Sequence, residues 1–113
     1  MKQYKPSTPF RTPFKILSLK KEFISGVNTQ IYVEEDVIYF ATIKSFGGTE
    51  KVINNVYVVE DTIVVETYFI ITLKNKDRIK LLDDNSVYEL INTPENINRQ
   101  SQYMQFKAVR VHG

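Results

Sequence analysis

Along residues 37–111, apolar positions recur every second residue in short runs separated by turn chemistry, the pattern of a train of strands. Over residues 37–45, Val37, Tyr39, Ala41 and Ile43 share one face and Ile38 and Phe40 the other, until Thr42 and Lys44 open that second face to water. Residues 61–71 form the strongest run. Ile63, Val65, Thr67, Phe69 and Ile71 lie on one face, and Val64, Tyr68 and Ile70 on the other. Apolar residues on both faces predict a central strand covered on two sides. Residues 78–82 and 87–92 flank Asp83-Asp84-Asn85-Ser86, whose side chains bond their own backbone and tolerate positive φ, so the pattern predicts a hairpin. Residues 102–111 close the series, with Met104, Phe106 and Ala108 expected inward and Gln105 and Lys107 outward.

Two earlier stretches extend the pattern. Residues 14–23 predict a first strand with Phe14 and Ile16 inward and Leu17 and Leu19 as further candidates. The turn-forming residues 25–29 then lead into a short return strand over 30–34, and Glu34, Glu35 and Asp36 read as a solvated turn. Between the two long runs, Gly47 and Gly48 break the alternation. The following β-branched residues, Val52, Ile53, Val56, Val58 and Val59, argue against a long helix. Residues 45–60 are therefore expected as a long loop, with a short helix or strand left open. The loop is too apolar to be idle: it packs on its own domain or pairs with copies in neighbouring subunits.

Three of the four prolines, Pro6, Pro9 and Pro13, fall in the first thirteen residues. Each removes a donor and pushes the preceding residue toward extended backbone. Residues 1–13 are thus expected as an extended arm carrying Tyr4 and Phe10, which either meets a partner surface or lies back on its own domain. Residues 14–113 are expected as one domain. The fold class predicted is mainly β: a small single-domain barrel or sandwich of antiparallel strands, with a long loop near 45–60 and the amino-terminal arm.

Composition narrows the function classes. At 113 residues the chain suits one domain with its own core. There are no cysteines, so neither disulfides nor thiolate metal sites are available. The net charge of +2, with both signs interspersed, lacks the basic excess of a strong nucleic-acid binder. No apolar run is long enough to span a bilayer, and no membrane role is expected.

Candidate chemistry is sparse. The single histidine, His112, stands one residue from the carboxyl end, and metal or acid–base sites need more than one such group. Asp83, Asp84 and Asn85 offer oxygen ligands, but without the glycine and closing glutamate of a calcium loop they read as a turn. Gly47 and Gly48 are not followed by Lys-Ser/Thr, so no phosphate loop is present. No nucleophile elbow or histidine-linked serine occurs. Neither an enzyme nor a cofactor is expected. Lys74, Lys76, Arg78 and Lys80 recur at every second position. If that segment is extended, all four project from one face, either toward DNA phosphates or as a solvated edge that blocks strand pairing. Lys15, Lys20 and Lys21 form a weaker cluster of the same kind.

The order of these elements resembles the head-tail adaptor, or head-closure, family of tailed bacteriophages. The likeness covers residues 37–111. It rests on Phe40-Ala41-Thr42-Ile43, the break at Gly47, Gly48 and Glu50, the run from Asp61-Thr62-Ile63 to Tyr68, Asp77-Arg78-Ile79, Val87-Tyr88-Glu89-Leu90-Ile91, and Asn98-Arg99-Gln100 before the last strand. It departs where many relatives carry Trp in place of Phe40 and an Arg near Phe69. The resemblance implies a connector stopper: a virion neck protein that closes the portal channel after DNA packaging, retains the genome and offers the docking surface for the tail. It implies a portal or adaptor ring and a tail or tail-completion protein as partners, with packaged double-stranded DNA in the channel. It also implies self-association into a ring, expected as a dodecamer in the virion and a monomer when free, assembled in the host cytoplasm.

Within that picture Tyr4, Phe10, Val52, Ile53, Val56 and Tyr57 are the candidate interface residues, and Lys74, Lys76, Arg78 and Lys80 the candidates to face DNA. Two alternatives remain. One is a tail-completion protein of a neighbouring connector layer. The other is an OB-like single-stranded nucleic-acid module using Tyr39, Tyr68, Tyr88 and Tyr103 as stacking platforms.

Overall fold

The alternating pattern closes on itself. In the computed structural model, which describes residues 5–6, 9–53 and 56–111 (residues 45–53 and 56–60 by their strand course only), eight strands run in chain order: β1 (Thr12–Ile24), β2 (Val27–Glu34), β3 (Tyr39–Ile53), β4 (Val56–Tyr68), β5 (Arg78–Leu81), β6 (Val87–Leu90), β7 (Glu95–Asn96) and β8 (Tyr103–Arg110). Strand β1 is the seam. Its residues 12–14 pair with β3 and its residues 14–17 with β5. The circuit β1-β3-β4-β8-β6-β5 therefore returns to β1 as a six-stranded antiparallel barrel. Strand β2 extends one side as a hairpin partner of β1, and β7 adds a short pairing to β8. A single 3₁₀ turn, Ile97–Arg99, is the only helical element among the described residues.

The two-residue period decides what lies inside. Phe14 and Ile16 of β1, Ala41 of β3, Ile63 and Val65 of β4, Ile79 and Leu81 of β5, Tyr88 and Leu90 of β6, and Met104, Phe106 and Ala108 of β8 fill the core. Thr67 continues the inner row of β4 and is fully buried. Its hydroxyl donates to the Phe40 carbonyl at 2.6 Å, so this polar group keeps a partner away from water.

Three expectations are corrected. Residues 61–71 are not a strand covered on both faces. Strand β4 ends at Tyr68, the chain turns, Ile70 and Leu73 drop into the core, and Ile71 is 81% exposed. A closed barrel has a single interior, so the outer row of β4 meets water or local cover and never a second sheet. Along β1 the inner row runs Phe14, Ile16, Ser18, which leaves Leu17 and Leu19 half-buried on the opposite face. Val37 and Ile38 precede β3 and are exposed, because pairing begins only at Tyr39.

The long loop expected over residues 45–60 is likewise corrected: these residues are almost all paired strand, where the expectation allowed at most a short one. Beyond an irregularity between Ser45 and Gly47, β3 and β4 stay paired from Gly47↔Thr62 to Ile53↔Val56. Two long hairpins thus leave the barrel in opposite strand directions: β1–β2, turning at Ser25 and Gly26, and β3–β4, whose pairing runs out to Ile53 and Val56.

Candidate interaction surfaces

Each hairpin grows from its local sequence. Ser25 (φ 50°) and Gly26 (φ 81°) both take the left-handed conformation, the geometry of a two-residue type I′ turn whose twist matches the flanking strands. Ile24 and Val27 face each other directly across it. From there to Lys20 and Gln30 nearly every residue is exposed, Phe23 at 74%. On the inner side, in line with buried Ser18, the register places Ile24, Val27, Ile31 and Val33 on one face. That face leads into an open groove of about 530 Å³ lined by Ser18, Leu19, Lys20, Val33, Glu35, Ile71, Thr72, Lys74 and Asp77. The Asp77 carboxylate shapes its floor, accepting from the Leu19 amide at 3.1 Å and the Lys74 amide at 2.9 Å. The Ser18 hydroxyl donates to Glu35 at its rim.

The outer wall beside this hairpin is a polar lattice. The Tyr32 hydroxyl donates to Glu89 at 3.1 Å, and Arg78 reaches the same carboxylate at 3.2 Å. Lys80 pairs with Glu34 at 3.0 Å, and Lys15 approaches that glutamate at 3.9 Å. The Lys80 hydrogen bond holds the Glu34 carboxyl below its ordinary range. Desolvation, reinforced by Glu89, pushes the Tyr32 phenol up.

These contacts redistribute the four residues expected to face DNA. Lys74 and Lys76 belong to turns, Lys76 at φ 79°, and only Arg78 and Lys80 lie on a strand. The segment is not extended from end to end, so the four do not form one row. Arg78 and Lys80 are committed to carboxylates of their own chain, while the exposed Lys74 and Lys76 flank the groove end of the barrel.

Of the interface candidates, Phe10 packs on its own barrel: its ring meets Tyr68 edge-on at 4.9 Å and Tyr103 at 5.9 Å. Val52, Ile53, Val56 and Tyr57 come together in sequence register at the end of β3–β4, Val52 opposite Tyr57 and Ile53 opposite Val56. Tyr4 and His112 lie outside the described residues. The four tyrosines do not share a face: Tyr88 is in the core, Tyr39 stacks on Phe14 at 5.6 Å, and only Tyr68 and Tyr103 stack together on the outer wall, under Phe10. Asp83, Asp84 and Asn85 form the β5–β6 turn. Ser86 donates to Asp84, which lowers that carboxyl, and Asn85 takes φ 60°. Among the described residues no three His, Cys, Asp or Glu side chains cluster as metal ligands, and no helix is long and apolar enough to cross a membrane.

The fold of this chain is known elsewhere. It is similar, at a TM-score of 0.71 and 9% identity, to a chain in the virion of a native gene transfer agent particle, covering 94% of this chain and 99% of that one. It is also similar to protein SF1141 from Shigella flexneri 2a, at a TM-score of 0.64 and 15% identity over 89% of this chain and 92% of that one. No family model matches the sequence, and no curated protein does. At such identities the likeness establishes the fold.

Several features of these surfaces were not read from the sequence. The partnership of Tyr32, Arg78 and Glu89 joins residues 46 and 57 positions from Tyr32, and no local spacing announces it. The groove is likewise assembled from three separate segments. The turn and return strand were legible, but the turn is only the two residues Ser25 and Gly26, so Phe23, Ile24 and Val27 flank it as exposed apolar strand residues.

Proposed function

We propose that this chain is a structural virion protein of a phage-like neck. It closes the portal channel after DNA packaging and presents the interface for tail attachment. The observation that carries this reading is the near full-length likeness to a chain from the virion of a gene transfer agent particle. The order of motifs along residues 37–111 supports the finer role. The architecture suits it too: a rigid barrel supplies a wall segment, and hairpins leaving it in opposite strand directions supply contacts on two sides.

In this reading copies associate by a heterologous contact that closes by rotation, giving a ring of twelve between the portal or adaptor ring and the tail or tail-completion protein. Burial of apolar hairpin residues drives association at about 25 cal/mol per Å² removed from water. The free protein is a monomer, so the ring forms only on its template. Lys74 and Lys76, in turns at one end of the barrel, act on channel DNA through its phosphates, without reading sequence. A stacking role on single-stranded nucleic acid is disfavoured, since two of the four tyrosines pack into or against the core.

The test is deletion of the gene in a particle-producing host, followed by electron microscopy of the heads. DNA-filled heads that leak and lack tails are expected. Normal tail attachment without the protein would overturn the neck role.

A further inference from the structure

We propose that the free edge of β2 is a strand-addition site for the amino-terminal arm of a second copy of this chain, whose residues 2–5 add beside Asn28, Gln30 and Tyr32. Among the described residues β2 pairs only with β1. Because Ile24 and Val27 flank a two-residue turn, they form a hydrogen-bonded pair, and bonding alternates from there. Val27, Thr29, Ile31 and Val33 therefore use their backbone groups on β1; the Glu35 amide keeps this phase by donating to the Ile16 carbonyl at 2.9 Å. Asn28, Gln30, Tyr32 and Glu34 point theirs outward. Folded domains normally guard such an edge with lysine, proline or a bulge. Strand β2, Val-Asn-Thr-Gln-Ile-Tyr-Val-Glu, has no lysine and no proline, and its register with β1 is unbroken. Beside it the apolar row Ile24, Val27, Ile31, Val33 runs to the groove where Ile71 stands exposed.

Charge and reach select the occupant. The edge ends in Glu34, which Lys80 and Lys15 already meet, in Glu35, which accepts from Ser18, and in Asp36, whereas the first 21 residues of the chain contain no acid and the arm carries Lys2 and Lys5. The arm also has Tyr4, an aromatic ring suited to the apolar row. A chain's own arm leads the wrong way. The Arg11 amide donates to the Ala41 carbonyl and the Thr42 hydroxyl to the Pro9 carbonyl, so residues 9–11 continue β1 along β3, away from β2. The eight preceding residues span at most ~29 Å. The middle of β2 lies opposite Lys21, twelve residues of strand from Pro9, or roughly 40 Å along the wall. A neighbouring copy's arm has no such constraint. Pro6 then ends the added strand.

This deepens the ring reading and depends on it only for bringing copies together, so it is tested on purified full-length protein with no virion present. The probe is a synthetic peptide of residues 1–11, titrated to about 1 mM against isotope-labelled protein while amide shifts are followed. The expected result is perturbation concentrated at residues 28–34. A peptide with both lysines changed to glutamate binds about fivefold more weakly or worse. Gln30→Pro removes an outward amide without touching the β1 ladder, and abolishes the shifts. No perturbation at that concentration, equal binding by the glutamate peptide, or unchanged binding to the Gln30→Pro protein overturns the assignment. The glutamate-peptide comparison uses only the native protein, so it decides the matter even if Gln30→Pro fails to fold.

Discussion

The guanidinium carbon of Arg78 lies 4.1 Å from the centre of the Tyr32 ring, while its Nε reaches Glu89 at 3.2 Å. The single Tyr32 hydroxyl proton in turn has Glu89 and the Lys76 carbonyl as alternative acceptors. One arginine thereby ties the projecting β1–β2 hairpin to the β5–β6 wall. The pairing is partly exposed, so its worth is modest: Arg78→Ala should cost ~1 kcal/mol in denaturant unfolding, from a cation–π contact and a screened ion pair. Arg78→Lys should recover only part, because an ammonium keeps the charge and loses the planar stack. Loss of the hairpin's order with little global destabilisation would appear as faster amide exchange over residues 27–33.

Phe106 is 1% exposed at the centre of the barrel. Phe106→Ala should destabilise by about 3–5 kcal/mol, the sum of lost transfer free energy and the cavity left in a tightly closed wall. Thermal or denaturant melting checks it. A change under about 1 kcal/mol would mean that the inner row of β8 is misassigned.

Glu34 links stability to pH. Its hydrogen bond from Lys80 lowers the folded-state carboxyl below its ordinary value of 4.5. A depressed folded pKa means that the contribution is present above the unfolded value and disappears as pH falls through the folded one. Unfolding midpoints measured downward from pH 6 should therefore begin to drop near pH 4.5. Glu34→Gln should be less stable at neutral pH and flatten that part of the profile. An unchanged acid slope in Glu34→Gln would remove the pair from the account.

Under the proposed ring reading, the β3–β4 hairpin should matter to assembly and not to folding. Changing Val52, Ile53, Val56 and Tyr57 together to serine should leave the barrel's unfolding transition in place, because the core of the circuit lies elsewhere. Incorporation into particles, read by quantitative mass spectrometry, should fall about tenfold or more, the equivalent of roughly 1.4 kcal/mol per contact site. Full incorporation would take the tip out of the interface.

The strand periods were legible from the chain. Met104, Phe106 and Ala108 alternate with Gln105 and Lys107, and that contrast alone assigns the inside of β8. The Asp83-Asp84-Asn85-Ser86 turn was equally readable, since Asp84 bonds its own backbone neighbour at Ser86. Surfaces were harder. The lysine series looked regular in sequence, yet the turn at residues 75–76 breaks its phase. Ile71 and Tyr68 looked like members of the two opposite buried faces of a central strand, and both are exposed.

Outside residues 45–60, alternation thus specified the strands, most of their inward rows and the turns between them, because period and turn chemistry are local properties of the backbone. Closure did not follow from any one segment. It depends on β1 meeting β3 on one edge and β5 on the other, contacts between residues 27 and 67 positions apart such as Pro13 with Phe40 and Phe14 with Leu81. Only that closure allots one inside to the whole sheet, turns Leu17, Tyr68 and Ile71 outward, joins Arg78 to Tyr32 and leaves the outer edge of β2 unpaired. Pairing across such distances reflects the competition among all strands at once, and no stretch of residues carries that information alone.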